Sequence, residues 1–185
     1  VDNLDGENGF TIIGLPADDL GYSLDFAGDV NGDGFDDLIL GIEVSVYSYY
    51  DEAAAYIVFG SAGGFGSEVS ISDPETVQVI RFYGEASSRV GRWVGAAGDV
   101  NGDGFADVLI NGSSSGNIYG AGGLYVLFGG ANLPSNMSHG TINGTDGFEF
   151  EGSTGRRIGS GSLAGDLNGD GLTDLLIGSS RGAGV

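Results

Sequence analysis

Three segments of the chain place oxygen-bearing side chains at one fixed spacing: Gly28-Asp-Val-Asn-Gly-Asp-Gly-Phe-Asp-Asp37, Gly98-Asp-Val-Asn-Gly-Asp-Gly-Phe-Ala-Asp107 and Gly165-Asp-Leu-Asn-Gly-Asp-Gly-Leu-Thr-Asp174. Counted from the first Asp, loop positions 1, 3, 5 and 9 are Asp29, Asn31, Asp33 and Asp37, then Asp99, Asn101, Asp103 and Asp107, then Asp166, Asn168, Asp170 and Asp174. Three carboxylates confined to one short loop repel and raise one another's pKa unless a cation lies between them. Hard oxygen donors with no His or Cys nearby suit Ca2+ far better than zinc or copper, and an irregular loop suits its variable coordination better than the strict octahedron of Mg2+. Position 7 is Phe35, Phe105 and Leu172, whose expected contribution is the backbone carbonyl. Gly34, Gly104 and Gly171 at position 6 permit the sharp turn that aims these donors inward. The expectation is three Ca2+ sites, one per segment.

Two rival readings of the loops are weaker. An EF-hand needs a bidentate Glu at position 12 and flanking helices, whereas position 12 here is Leu40, Ile110 and Ile177, inside strand-like runs. Asn-Gly and Asp-Gly pairs also belong to ordinary hairpin turns. Three copies keep all four oxygen side chains while position 8 drifts through Asp36, Ala106 and Thr173, which favours the metal. Position 8 is accordingly expected to be free to vary because its side chain points away.

The first Asp residues lie 70 and 67 residues apart, so the loops belong to an internal repeat. Upstream of each comes an aromatic strand ending in Gly: Phe10-Thr-Ile-Ile-Gly14, Ile80-Arg-Phe-Tyr-Gly84 and Phe148-Glu-Phe-Glu-Gly152. A further Gly follows (Gly21, Gly91, Gly159), and after the loop a β-rich run: Asp37-Leu-Ile-Leu-Gly41, Asp107-Val-Leu-Ile-Asn111 and Asp174-Leu-Leu-Ile-Gly178. Ala55-Tyr-Ile-Val-Phe-Gly60 and Leu124-Tyr-Val-Leu-Phe-Gly129 close the first two units. No segment sustains a helical apolar period with caps, whereas short Val/Ile/Leu/Tyr/Phe runs bounded by turn residues recur throughout. The fold class is therefore all-β, with four-stranded antiparallel units of the kind that form the blades of a β-propeller. The expected division is 1–60 as a first blade with a strand-poor start at 1–9, 61–129 as an inter-blade loop and second blade, and 130–185 as an inter-blade loop and truncated third blade. Ser61–Thr76 and Gly130–Gly147 carry no strand signal.

Composition narrows the partners. The chain has 185 residues, 38 of them Gly, no Cys, and a formal charge of -20. Its six basic residues are all Arg, too few against 26 acids to build the positive footprint that phosphate backbones or anionic membranes require. Nucleic acid and membrane insertion are excluded as expectations, since no run approaches the roughly 18 apolar residues of a spanning helix and the first residues do not read as a leader. Outside the loops, His139 reads as a surface-loop residue with no paired acid and nucleophile. Arg89 and Arg157 read as structural residues at a blade edge, and Trp93 and the Tyr47-Ser-Tyr-Tyr50 run as packing aromatics. No catalytic set is visible, and the chain is read as a non-enzyme.

The order of these elements resembles a known family. Phe-x-x-x-Gly, then Gly-Asp-Val-Asn-Gly-Asp-Gly-x-x-Asp-Leu-(Leu/Ile)-Ile-Gly, then Tyr-(Ile/Val)-(Val/Leu)-Phe-Gly is similar to the FG-GAP repeat of integrin α-subunit propellers and their bacterial relatives. The resemblance covers nearly the whole chain, although the third unit is one residue shorter between Gly159 and Asp166. It implies a Ca2+ ion in the hairpin loop between the first two strands of each blade. It also implies an extracellular or cell-surface module of adhesion or recognition, with a protein or polysaccharide ligand. Two alternatives stay open: a calcium-braced structural subunit of a surface fibre or sheath assembled from open blades, and a non-catalytic propeller domain of a longer polysaccharide-acting enzyme. The chain holds about 2.7 repeats, an incomplete propeller, whereas closed propellers need at least four blades. Further blades of a longer chain, or a homo-oligomer, are the expected ways of completing it.

Overall fold

The computed structural model describes residues 4–15, 19–43, 53–73, 77–84, 88–112, 122–152 and 156–181. Among them there is no α-helix, and hence none long and apolar enough to cross a membrane. The first main sheet is formed by β2 (Asp19–Gly28), β3 (Asp37–Glu43), β4 (Ala53–Val58) and β6 (Val79–Gly84), with neighbours antiparallel. A short β10 (Asn136–Ser138) adds to its outer edge in parallel with β6. The second sheet consists of β7 (Val94–Gly98), β8 (Asp107–Gly112), β9 (Gly123–Leu127) and β11 (Gly147–Glu151), again antiparallel. A third is the hairpin of β12 (Arg156–Gly165) and β13 (Asp174–Arg181). Strands β1 (Thr11–Ile13) and β5 (Glu68–Ser70) pair in parallel.

Two of these pairings differ from the sequence expectation. The aromatic strand of each unit does not join the loop that follows it in sequence. Strand β6, which contains Ile80–Gly84, pairs with β4 of the preceding unit, and β11, which contains Phe148–Glu151, pairs with β9. Sequence repeat and sheet are thus offset by one strand. The segments read as strand-free connections also contain β5 and β10, three residues each, whose central Val69 and Met137 are buried.

Alternation along the central strands builds the core, because successive side chains of a strand point to opposite faces. In β4, Ala53, Ala55 and Ile57 face one cluster, whereas Ala54, Tyr56 and Val58 face another. In β9, Tyr125 and Leu127 face the first cluster, and Leu124 and Val126 a third. One cluster therefore fills the space between the first and second sheets, and another, with Trp93, Ile158, Leu175 and Ile177 at its border, the space between the second and third. Sheets stacked face to face along the chain, each buried against its neighbours, are blades of an open, unclosed propeller.

Candidate metal centre

Each acidic loop connects the first two strands of its sheet: β2 to β3, β7 to β8 and β12 to β13. In the first loop the Asp29 carboxylate accepts the amides of Gly32 (2.7 Å), Asp33 (3.0 Å) and Gly34 (2.9 Å). Asn31 Oδ1 accepts the Asp33 amide at 2.9 Å, and Asp33 Oδ1 the Phe35 amide at 2.9 Å. The second loop repeats this with Asp99 on Gly102, Asp103 and Gly104 at 2.7, 3.1 and 2.9 Å. In the third, Asp166 takes Gly169, Asp170 and Gly171 at 2.6, 3.1 and 2.9 Å. Short polar side chains that capture amides a few residues on are the local chemistry that curls such a loop. Gly32 and Gly34 supply the positive φ values, +77° and +92°, that the curl needs.

Position 9 has a different job. Asp37 is buried, accepting the Val30 amide of its own loop and the Gly60 amide beyond β4, both at 2.8 Å. Asp107 is likewise buried on Val100 (2.8 Å) and Gly129 (2.9 Å). Asp174 is half-buried, with the Leu167 amide at 2.7 Å and the Asn168 side-chain amide at 3.5 Å. Burial pushes the Asp107 carboxyl up to about 6, opposed by its two amides and reinforced by the charges of Asp103 and Asp99. Asp37 is pushed up by the same causes, with Asp33 and Asp29 as the charges. On Asp166, backbone bonds, that of Gly171 foremost, lower the carboxyl.

In each loop the side-chain oxygens at positions 1, 3, 5 and 9 are thus turned onto backbone amides or a neighbouring side-chain amide. Counting carboxylate, imidazole and thiol groups alone, the described residues form no metal-holding group of three. The expected ligand set is broader, since it mixes carboxylate, amide and carbonyl oxygens. On donor chemistry it fits a hard cation: all donors are oxygen, and in the first two loops one carboxyl is raised by burial and, to a lesser degree, by two neighbouring carboxylates.

Position 8 is tied to the preceding loop through its main chain. The Ala106 amide donates to the Asp29 carbonyl of the preceding loop at 3.0 Å, and the Thr173 amide to the Asp99 carbonyl at 3.1 Å. Position 7 also reaches back, with the Phe105 ring over Gly32 and Leu172 over Gly102. These junctions between loops had no side-chain signal at position 8, because the bond is made by the main chain. Asn111, at the end of β8, was likewise unmarked. Its side-chain amide lies 3.4 Å from the carbonyl of Ile158 and 3.3 Å from that of Gly159, linking the second sheet to the third.

His139 is half-buried rather than a free surface residue, with Nδ1 3.2 Å from the Tyr125 hydroxyl and its ring edge-on to that tyrosine. Trp93 packs in the cluster between the second and third sheets. Arg89 holds a left-handed φ of +53° in the turn before β7. The Tyr47–Tyr50 run and the Arg157 side chain lie outside the described residues.

Antiparallel sheets stacked face to face, each with an acidic loop in its first hairpin, define a β-propeller module. The chain belongs to the FG-GAP repeat family, whose profile matches residues 20–57, 91–127 and 159–185, more than half of its length. It is 30% identical to human integrin alpha-7 over 165 residues, 86% of this chain and 12% of the integrin. It is 32% identical to Drosophila melanogaster integrin alpha-PS2 over 167 residues, 86% of this chain and 11% of that protein. Phosphatidylinositol-glycan-specific phospholipase D of Dictyostelium discoideum is 29% identical over 174 residues, 84% of this chain and 17% of the phospholipase. The chain therefore spans less than a fifth of the length of these relatives.

Proposed function

We propose that the chain is a calcium-braced, non-catalytic recognition module that works outside the cell and engages a protein or polysaccharide ligand. The observation that carries the calcium reading is the threefold recurrence of one oxygen-only loop, with the same amides captured at the same positions each time. In the first two loops a buried carboxylate with two carboxylate neighbours gains most from a cation. The integrin alpha relatives support recognition at a cell surface. The phospholipase relative is compatible with the same module serving beside a catalytic region, because this chain corresponds to 17% of it.

In this mechanism Asp29, Asn31, Asp33, Asp37 and the Phe35 carbonyl, and their equivalents in the other two loops, would hold the ion. The ion offsets repulsion between carboxylates and stabilises the folded state by about 2.7 kcal/mol per site at a free concentration a hundredfold above Kd. Calorimetric titration of the wild type is expected to give three equivalents of Ca2+, with weaker Mg2+ binding. Asp33→Ala, Asp103→Ala and Asp170→Ala are each expected to remove one equivalent and part of the calcium-dependent rise in Tm. Three variants with wild-type stoichiometry and unchanged melting in calcium would overturn the ligand assignment.

A further inference from the structure

The carbonyl of position 7 and the amide of position 8 belong to one peptide unit, and in two of the loops that unit is held by the loop before it. The Ala106 amide donates to the Asp29 carbonyl at 3.0 Å, and the Thr173 amide to the Asp99 carbonyl at 3.1 Å. A trans peptide is planar, with its N–H and C=O pointing in opposite directions. The bond to Asp29 therefore turns the Phe105 carbonyl away from the first loop, and the bond to Asp99 turns the Leu172 carbonyl away from the second. These carbonyls are the position-7 donors expected of the second and third loops. Each loop thus orients a donor of the next.

The accepting peptide is fixed in its turn. The Asp29 carbonyl shares its peptide with the Val30 amide, which donates to Asp37 Oδ2 at 2.8 Å. The Asp99 carbonyl shares its own with the Val100 amide, which donates to Asp107 Oδ2 at 2.8 Å. An unbroken path of two peptide units therefore runs from the Asp37 carboxylate of the first loop to the Phe105 carbonyl of the second, and another from Asp107 to Leu172. The hydrogen bonds of each path align head to tail, the arrangement in which one bond polarises and strengthens the next. Further contacts hold the loops in register: Phe105 lies over Gly32, Leu172 over Gly102, and the Gly130 amide beyond β9 donates to the Val30 carbonyl at 2.8 Å.

We infer that these paths couple the cation sites of adjacent loops, so that filling one raises the affinity of its neighbour. Resting on the calcium reading, the coupling adds an order to it. Among the described residues no such path joins the first loop directly to the third, so those two communicate only through the second. A filled loop holds Asp29 and Asp37 in one arrangement, and the next loop then loses less entropy when its own position-7 donor is ordered. By linkage the effect is reciprocal. Repulsion between two bound cations opposes it, but the loops are solvent-exposed and salt screens that term.

Calorimetric calcium titration of Asp103→Ala and Asp170→Ala at physiological ionic strength tests the coupling. Each variant lacks one exposed carboxylate and keeps two sites, which are adjacent in Asp170→Ala and separated in Asp103→Ala. Asp170→Ala is expected to bind its two ions cooperatively, the second about 5-fold tighter than the first, and Asp103→Ala to bind its two independently. Cooperativity that came from folding of the whole chain would be the same in both. Hydrogen exchange gives a second readout, on a chain whose second and third loops are intact. In Asp33→Ala at saturating calcium the Ala106 amide is expected to exchange about 5-fold faster than in the wild type, while the Thr173 amide keeps its protection. Equal cooperativity in the two titrated variants, or an Ala106 amide unmoved by Asp33→Ala, would overturn the coupling while leaving the calcium sites in place. A wild type that binds no calcium would overturn both.

Discussion

Replacing Gly91 by alanine tests whether the sheets stack as blades. Gly91 lies in the turn before β7 with φ +87°; its amide donates to the Asn111 carbonyl at 3.0 Å and its own carbonyl accepts from Ser23 Oγ at 3.1 Å. A Cβ at this position would stand 1.9 Å from the Ala54 carbonyl oxygen of the first sheet, where contacts under 3.0 Å are not tolerated. The left-handed conformation costs an L-residue about 1–2 kcal/mol. Relieving the overlap requires the junction to open by about 1 Å, and overpacking of this kind costs about 1–3 kcal/mol more. The expected loss is therefore about 2–5 kcal/mol. Gly21 occupies the same repeat position with φ +88° and open space around it, so Gly21→Ala should lose only the conformational part. Gly159, the third copy, has open space and no positive φ, and its replacement should be near neutral. Urea unfolding in calcium, read as the shift in midpoint at constant slope, measures all three. A Gly91→Ala loss no greater than that of Gly21→Ala would refute the stacking of the first two sheets.

Two further outcomes concern position 9. The Asp107 carboxyl is raised from 3.8 to about 6, so in metal-stripped buffer its neutral form favours the native state. Its contribution to stability is then greatest at low pH and is lost as the pH rises through 6, a swing of about 3 kcal/mol, with Asp37 acting in the same direction. A bound ion favours the charged forms, so in calcium acidification should lower stability instead; urea midpoints between about pH 4 and pH 7 with the same sign of slope in both buffers would refute an ion in these loops. At about pH 5 in stripped buffer, where Asp107 is largely neutral, Asp107→Ala leaves the Val100 and Gly129 amides without their acceptor, at about 1–3 kcal/mol each. Asp174→Ala exposes only the Leu167 amide, already near water, and should cost less than about 1 kcal/mol. Equal losses, by differential scanning calorimetry, would contradict the anchoring role of the buried carboxylates.

What could be read from the sequence was whatever side-chain chemistry dictates locally. The acidic loops stand out because Asp, Asn and Gly must occupy fixed positions to curl the chain. The central strands stand out because runs such as Ala55-Tyr-Ile-Val58 bury both faces. Pairing partners were less visible. Val79 meets Val58 across a long connection, whereas Ile80–Gly84 precedes the second loop closely in sequence, so proximity suggested the wrong neighbour. Strands β5 and β10 escaped notice because Glu68-Val-Ser70 and Asn136-Met-Ser138 each bury one side chain, too short a run for alternation to show. The main-chain demand at position 8 escaped notice because the variable side chains there conceal it.

That demand shows how neighbouring loops are joined. Asp29 serves two structures at once: its carboxylate holds the amides of its own loop, and its carbonyl accepts the Ala106 amide of the next. Asp99 repeats the arrangement with Thr173. A backbone bond tolerates Asp, Ala or Thr at position 8 but not the loss of its N–H, so the constraint there is on conformation and size rather than side-chain chemistry. Ala106 lies against Gly28 and Thr173 against Gly98, where the glycines make room. The third loop separates the local from the long-range contributions. Among the described residues its Asp174 accepts no amide of the Gly60 or Gly129 kind, yet Asp166 holds its three amides at 2.6–3.1 Å, as Asp29 and Asp99 do. The curl of the loop is therefore encoded within its own nine residues. The buried carboxylate at position 9 adds a separate function, fastening that loop to the end of the third strand of its sheet.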